Sequence, residues 1–239
     1  MKLAFIGNGA MSGVAQAHAR AAGDSVGVVL DLADAAAGVE AMAARLRGHD
    51  AVVDFSRADG VLAHVEACMR AGVPLVEGTT GWQAHEAEAR RLVEGAGVTT
   101  VVGANFSVGV NLFDRLVARA GELFQGLDAY GAFIEEAHHA RKKDAPSGTA
   151  LELGRLLSAR IGHEVGIAST RAGHIPGPHR VGFDSAADQI ELVHTARSRE
   201  GFAAGALLAA RWARSAPRRG MVRFADVFDE VLNMERKAP

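Results

Sequence analysis

A chain of 239 residues is long enough for one large domain or two smaller ones with a substantial core. Its 26 Lys and Arg residues nearly balance 28 Asp and Glu residues, and the net charge of -2 argues against a cationic surface for nucleic acid. No apolar run approaches the ~18 residues of a membrane span, and the single cysteine, Cys68, cannot form an internal disulfide. We therefore expect a cytoplasmic protein that has neither nucleic-acid nor membrane partners.

Short apolar runs alternate with helical segments over the first hundred residues. Leu3-Ala4-Phe5-Ile6 ends at a glycine and is typical of a strand that is buried on both faces. Further strands are predicted at residues 26–30, 51–55, 74–77 and 98–102, with helices at about 13–22, 35–47, 59–70 and 82–94. This alternation predicts right-handed crossovers and a parallel, doubly wound sheet.

A glycine-rich turn joins the first strand to the first helix. It reads Gly7-Asn8-Gly9-Ala10-Met11-Ser12, and these residues are the candidates for binding a dinucleotide pyrophosphate at the helix N-terminus. Ser12 stands where the standard fingerprint has a third glycine, and many similar turns hold no ligand. Asp31, at the end of the second predicted strand, lies near the usual offset of the acid that binds the adenosine ribose. The two features together predict a dinucleotide site.

Asp31 also bears on which cofactor is used. A carboxylate accepts hydrogen bonds from a free ribose 2′-hydroxyl and repels a 2′-phosphate. The next residue is Leu32 rather than an arginine. We therefore predict that NADH is preferred over NADPH, while an ordinary exposed acid at a strand end remains the alternative interpretation of Asp31.

Two more loops follow predicted strands at the edge where ligands of such sheets bind. Their candidate cofactor-binding residues are Gly78, Thr79 and Thr80 after the fourth strand, and Ala104, Asn105 and Phe106 after the fifth. From these residues alone, plain connecting loops are equally plausible.

The order of elements changes after Asn105. Helices are predicted at 110–124, 151–161 and 202–214, and strands at 129–136, 165–170, 181–184 and 189–196. Several successive strands without intervening helices are typical of a mixed sheet. The predicted fold class is α/β, with a Rossmann-like parallel-sheet cofactor domain and an α+β mixed-sheet domain. We place the first at residues 1–105 with 216–239 returning to it, and the second at 106–215.

Residues 136–150 carry the most specific pattern. Glu136-Ala137-His138-His139 is followed by Lys142 and by Asp144-Ala145-Pro146-Ser147-Gly148-Thr149-Ala150. This pattern resembles the signature of the 4-hydroxy-tetrahydrodipicolinate (dihydrodipicolinate) reductases of diaminopimelate and lysine biosynthesis. Other segments resemble that family in the same order, at residues 54–57, 78–81, 104–111, 171–175 and 177–179. The resemblance covers essentially the whole chain.

The resemblance implies a substrate and a set of binding residues. The substrate would be a small cyclic imine with two carboxylates, reduced by hydride from NADH or NADPH. His139 and Lys142 would bind its negative charge. Ser147, Gly148 and Thr149 would seat a carboxylate at a helix N-terminus, where free N–H groups and the positive end of the dipole lie. The resemblance also implies that the second domain is an oligomerisation domain that builds a homotetramer.

The proton that must accompany the hydride has two candidate donors. His138 is the candidate general acid because imidazole titrates near the working pH, and Lys142 is the second candidate. The sequence leaves the division of roles between them open.

Other interpretations of the same residues are possible. A histidine and lysine run in isolation is typical of a solvated or nucleic-acid-facing patch. Metal ligation by His138, His139, His174, His179 or His194 is conceivable, but the chain has no zinc-like Cys/His spacing, so we expect no metal. A related reductase of another imine or oxo acid, and a regulator that senses the dinucleotide without turnover, are the remaining alternatives.

Overall fold

A computed structural model describes residues 1–215 and 219–235. They divide into two units, one of Met1–Val108 with the described part of Arg199–Pro239, the other of Gly109–Ser198. None of the described helices is long and apolar enough to cross a membrane.

Ten strands and nine α-helices are found among the described residues. The strands are β1 (Lys2–Ile6), β2 (Ser25–Leu30), β3 (Ala51–Asp54), β4 (Leu75–Glu77), β5 (Thr99–Val102), β6 (Gly131–His138), β7 (Gly166–Arg171), β8 (Pro178–Asp184), β9 (Gln189–Thr195) and β10 (Gly220–Arg223). The helices are α1 (Ala10–Ala21), α2 (Leu32–Ala36), α3 (Val39–Leu46), α4 (Val61–Ala71), α5 (Glu86–Ala96), α6 (Val108–Phe124), α7 (Gly148–Ile161), α8 (Glu200–Ser215) and α9 (Phe224–Glu235).

The first unit is built on a parallel sheet of six strands, in the order β10-β5-β4-β3-β1-β2. Successive side chains of β1 point to opposite faces, so Leu3 and Phe5 join one buried cluster while Ala4 and Ile6 join another. All four are at most 2% exposed because helices cover both faces. Since the strands are parallel, the loops after β1, β3, β4 and β5 begin at one edge of the sheet.

The second unit contains a mixed sheet in the order β7-β6-β8-β9. Strand β6 pairs in parallel with β7 and antiparallel with β8. Helices α6 and α7 supply Phe113, Val117, Leu153 and Leu157 to a core that also contains Ile134 from β6. The predicted fold class, a Rossmann-like parallel sheet plus a mixed sheet, is confirmed.

Two elements differ from the sequence expectations. The helix predicted at 35–47 is two helices, α2 and α3, separated at Gly38, whose φ of 92° interrupts the helical backbone. Helix α8 was expected in the second domain, which was placed at 106–215, but it lies in the first unit. Its Ala203, Ala206 and Leu207 are buried in the cluster that covers one face of the parallel sheet.

The segment 216–239 was expected to return to the first domain. Residues 216–218 and 236–239 of that segment lie outside the described residues. Within the described part, β10 pairs in parallel with β5, with Gly220 opposite Thr99, and so forms the edge of the first sheet.

Candidate active site

A cavity of about 410 Å³ opens at the loop edge of the first unit, a volume within the range of small-molecule sites. Gly7, Asn8, Gly9 and Asp31 from the predicted set line it. The other members of the glycine-rich turn, Ala10, Met11 and Ser12, form the first turn of α1.

Gly7 is required by the backbone at this turn. Its φ is 91°, and a Cβ atom there would lie 2.6 Å from the carbonyl oxygen of Phe55. Helix α1 then begins after Gly9, which has no side chain to cap it. Its first N–H groups therefore remain free for an anion, as a pyrophosphate site requires. Ser12, at the position of the expected third glycine, is fully buried and accepts a hydrogen bond from the Gln16 amide at 3.1 Å.

Asp31 has a structural role beside its place on the cavity wall. It is the N-cap of α2, and its Oδ1 accepts hydrogen bonds from the backbone N–H groups of Ala33 at 2.8 Å and Asp34 at 3.2 Å. Arg57 also lies on this wall, with its guanidinium paired with Asp59 at 3.1 Å; the sequence analysis cited its segment, residues 54–57, but gave Arg57 no role. Its position could have suggested a ligand contact, because the segment directly after β3 begins at the ligand-binding edge of the parallel sheet.

The loops after β4 and β5 carry a mixture of open and buried residues. Thr80 and Ala104 are exposed, and Gly78 is half-buried. Thr79 is 7% exposed and donates its N–H to Glu77 at 2.7 Å. Asn105 accepts the N–H of Ser107 at 2.9 Å. Phe106 is 2% exposed, and its ring centroid lies 4.6 Å from that of Phe224. Phe106 is therefore a core side chain rather than an open ligand contact.

A buried polar network beneath these loops was not recognised in the sequence. His64 Nδ1 lies 2.8 Å from Asp54 Oδ2, and both side chains are at most 5% exposed. The other carboxylate oxygen of Asp54 accepts the backbone N–H of Ser56 at 2.9 Å. Glu77, fully buried at the end of β4, lies close to this pair. The network connects the loops after β3 and β4 to one another.

The second unit gathers its predicted residues around the end of β6. His138 is the last residue of that strand, and His139 and Lys142 follow in the connection to α7. Both His139 and Lys142 are partly buried, and the Lys142 ammonium lies 2.9 Å from the carboxylate of Asp144. Nδ1 of His139 is buried and has no hydrogen-bond partner among the described residues. This connection therefore supplies an imidazole and a cation shortly after the general-acid candidate in the chain.

Ser147 begins helix α7. Its Oγ accepts the N–H of Ala150 at 3.2 Å, as expected of an N-cap residue. Gly148 and Thr149 form the first turn, where the N–H groups have no intrahelical acceptor. Gly148 is exposed, and a Cβ there would meet nothing within 4 Å. The helix start is therefore open to an anion.

Glu136 is a central residue of this site that the sequence analysis quoted but did not interpret. Its side chain is fully buried and contacts His138 Nδ1 through Oε2. Arg171 donates to both of its oxygens, at 2.7 and 3.0 Å. Burial alone would raise the pKa of Glu136, but the hydrogen bonds to its carboxylate, foremost that from Arg171, lower it to about 2. Glu136 is therefore ionised at any working pH.

His179 lies opposite Glu136 in the antiparallel register of β6 and β8, with its ring edge-on to that of His138. The two ring centroids are 5.3 Å apart, and His179 Nε2 lies 3.0 Å from Ser147 Oγ. Burial, and secondarily the charge of His138, lowers the pKa of His179 to about 4, so the ring is neutral near pH 7. Ligand-type atoms of Glu136, His138 and His179 lie within 4.8 Å of one another. A cation bound there would compete with Arg171, which already binds both oxygens of the Glu136 carboxylate. Among the described residues, this cluster is therefore an ion-pair network.

Family models match nearly all of the chain. The model of the dihydrodipicolinate reductase N-terminus matches residues 9–106, and that of its C-terminus matches residues 109–228. The chain belongs to the dihydrodipicolinate reductase family. The resemblance seen in the sequence is thereby confirmed, and it makes the protein a member of a family of pyridine-nucleotide-dependent reductases.

Individual relatives agree with this assignment. The 4-hydroxy-tetrahydrodipicolinate reductase of Christiangramia forsetii is 35% identical over 195 residues, which cover 77% of this chain and 81% of that protein. That of Cupriavidus necator is 37% identical over 228 residues, with coverages of 87% and 84%. Among solved structures, the dipicolinate-bound dihydrodipicolinate reductase of Paenisporosarcina sp. TG-14 has a TM-score of 0.77 at 20% identity. It covers 93% of this chain and 97% of its own, and shows that the fold is shared.

Proposed function

We propose that the protein is a 4-hydroxy-tetrahydrodipicolinate reductase of diaminopimelate and lysine biosynthesis. The reaction takes a hydride from NADH or NADPH and a proton, releases water, and yields tetrahydrodipicolinate. The observation that carries the proposal is the cluster at the end of β6, where an imidazole on a buried carboxylate stands beside the open start of α7. Both halves of the chain also match the family that is named for this reduction.

The start of α7 and the preceding connection suit a dicarboxylate. The N–H groups of Gly148 and Thr149 and the positive end of the helix dipole offer one carboxylate seat. Lys142 and His139, both partly buried, offer a cation and an imidazole for the second. These contacts bind the charged part of the substrate and leave its ring to react.

His138 is the proton donor in this proposal. A donor of this kind must exchange a proton readily near neutral pH, as imidazole side chains do. The only carboxylate within hydrogen-bond reach of His138, among the described residues, is the buried Glu136. Lys142, paired with the more exposed Asp144, binds the substrate anion and orients it for the transfer.

The preference for NADH over NADPH is proposed from Asp31. Its carboxylate lines the cavity and is followed by the apolar Leu32. Arg57 also lines the cavity, but its guanidinium is already paired with Asp59. A 2′-phosphate that bound Arg57 would have to displace the Asp59 carboxylate. We assign the remaining cofactor contacts to Gly78 and Thr80, which follow β4, and to Ala104, which follows β5.

A homotetramer built by the second unit and a cytoplasmic location belong to the same proposal. The family resemblance supports the former, as does the exposed apolar Val193 on the mixed sheet. The lone cysteine supports a reducing compartment.

The proposal is tested by nicotinamide oxidation with purified protein. The substrate is generated in the cuvette from pyruvate and aspartate semialdehyde by the preceding synthase, with NADH and NADPH in parallel. We expect oxidation that depends on the synthase, is faster with NADH, and is inhibited by pyridine-2,6-dicarboxylate. Binding of dinucleotide without synthase-dependent oxidation would refute the assigned reaction and favour another imine or oxo-acid substrate, or a dinucleotide sensor.

A further inference from the structure

We propose that Glu136 is a positioning residue that holds His138 with a proton on Nδ1, so that the proton given to the substrate is the one on Nε2. The inference rests on the proposed function for its catalytic meaning. The contact between Glu136 and His138 is observed in the structure and does not depend on the proposed function.

The assignment of the ring nitrogens follows from hydrogen-bond chemistry. An ionised carboxylate can only accept hydrogen bonds. Because Glu136 Oε2 contacts His138 Nδ1, that nitrogen must be the donor. The neutral ring therefore carries its proton on Nδ1, and the cationic ring carries the additional proton on Nε2. Only the Nε2 proton can be given away without breaking the contact to Glu136.

Arg171 prevents the carboxylate from rotating. Its two terminal nitrogens bind one Glu136 oxygen each, and such a planar fork fixes the orientation of both partners. Arg171 also donates to the carbonyl oxygen of Asp144, at 2.6 Å and 3.2 Å. The parallel register of β6 and β7 places it opposite His138. The Arg171 guanidinium thus binds both the Glu136 carboxylate and the main chain of the connection that carries Lys142.

Gly177 approaches the Nε2 edge of His138 and has no side chain to occupy the space beside it. A Cβ atom at Gly177 would lie 2.9 Å from both Nε2 and Cδ2 of the ring. Gly177 has a φ of 108°, so its backbone also favours glycine. The hydroxyl of Ser147 accepts from the N–H of Ala150 and can direct its own hydrogen to His179. The neutral ring of His179 then accepts its hydrogen bond from Ser147 and does not compete for the proton of His138.

The proton transfer balances within this arrangement. The Nε2–H bond of cationic His138 breaks, the proton passes to the substrate as the hydride arrives, and the ring becomes neutral with Nδ1–H retained. Solvent then returns a proton to Nε2. Glu136 touches neither substrate nor cofactor in this scheme. It stabilises the cationic ring and sets its orientation, in the way that carboxylates orient histidines in other sites.

The test compares Glu136→Gln with the matched control Glu135→Gln. Glu135 is the preceding residue of β6 and is exposed, with Arg180 as its partner. The first readout is the ring tautomer of His138, from ¹⁵N chemical shifts of histidine-labelled protein, with His138→Gln to assign the signals. We expect Nδ1–H for the neutral ring in the wild type and in the control, and a weaker preference in Glu136→Gln, because an amide can turn either its oxygen or its NH2 group towards Nδ1.

The second readout is kinetic. We expect Glu136→Gln to lower kcat by about 10- to 100-fold, the usual effect of removing a residue that supports a functional histidine. The alkaline limb of the kcat profile moves to lower pH because the cationic ring has lost its counter-ion. KM for NADH stays unchanged. If this variant does not fold with Arg171 unpaired, Glu136→Gln combined with Arg171→Met removes the lone cation and serves the same readouts.

The outcomes separate the two proposals. An Nε2–H tautomer in the wild type overturns the role of Glu136 whatever the activity. A kcat and pH profile equal to those of the control overturns it as well. If the wild type shows the expected tautomer but no synthase-dependent oxidation, the positioning role of Glu136 is supported and the assigned reaction is refuted.

Discussion

Replacing Glu77 by glutamine tests the buried network beneath the dinucleotide loops. Glu77 is fully buried, and its Oε1 accepts the N–H of Thr79 at 2.7 Å. Its Oε2 is buried and has no hydrogen-bond partner among the described residues. Burial raises the pKa of Glu77 well above its usual range, and the charge of Asp54 raises it further. The side chain is therefore protonated over a pH range in which an exposed glutamate is ionised.

The magnitude follows from proton linkage. The unfolded chain titrates Glu77 near 4.5, whereas the folded protein holds the proton to higher pH. Between these two values the folded state binds more protons, so the free energy of unfolding falls as pH rises, by up to about 1.4 kcal/mol per pH unit. Glutamine has the shape of the protonated acid and cannot ionise. We expect Glu77→Gln to abolish this loss, so that its advantage over the wild type grows with pH.

The assay is thermal unfolding at a series of pH values from 4.5 upwards. A change of 1 kcal/mol corresponds to about 2–4 °C in Tm for a chain of this size, so the variant gains about 3–6 °C on the wild type for each pH unit in the affected range. The exposed Glu94→Gln in α5 is the control, and its difference from the wild type should not grow in this way. A Glu77→Gln variant that is less stable than the wild type at pH 8, or a gain independent of pH, would refute the reasoning.

Three further substitutions test other parts of the structure. Asp31→Asn keeps an N-cap residue but removes the charge, and we expect KM for NADH to rise about 10-fold while KM for NADPH rises less, measured in the coupled assay. Gly205→Ala would place a Cβ 1.8 Å from a main-chain carbonyl oxygen and should abolish the soluble fold, whereas Gly95→Ala, with nothing within 4 Å, should be tolerated or stabilising in thermal unfolding. His138→Gln and Lys142→Cys should each lower kcat by orders of magnitude and leave dinucleotide affinity, measured by fluorescence titration, nearly unchanged; wild-type turnover in both would end their assignment.

The elements that the sequence predicted well are those with a local signal. The buried strand Leu3–Ile6 ends at Gly7, and the tight turn there follows from one residue that needs a positive φ. The start of α7 was predictable because Ser147 is a common N-cap and Gly148 follows it directly. In each of these places the physical cause lies within a few residues of its effect.

The features that the sequence analysis missed depend on contacts between distant segments. Arg171 reaches Glu136 across 35 positions of the chain only because β6 and β7 pair in one particular register. Nothing within the helical pattern of α8 distinguishes packing on the first sheet from packing on the second. Its close approach at Gly205 becomes visible only when the facing backbone is known.

This difference explains why the sequence identifies a reacting group more readily than the groups that control it. His138 stands in a run of unusual residue types, and its chemistry belongs to its own side chain. What that side chain can do depends on which nitrogen holds the proton, and this is decided by Glu136 from the same strand and Arg171 from the next. Glu135 and Glu136 are adjacent and chemically identical, yet the alternation of the strand exposes one and buries the other beside the imidazole. The chemistry of the site therefore depends on which face of the strand each side chain occupies and on the register in which the strands pair.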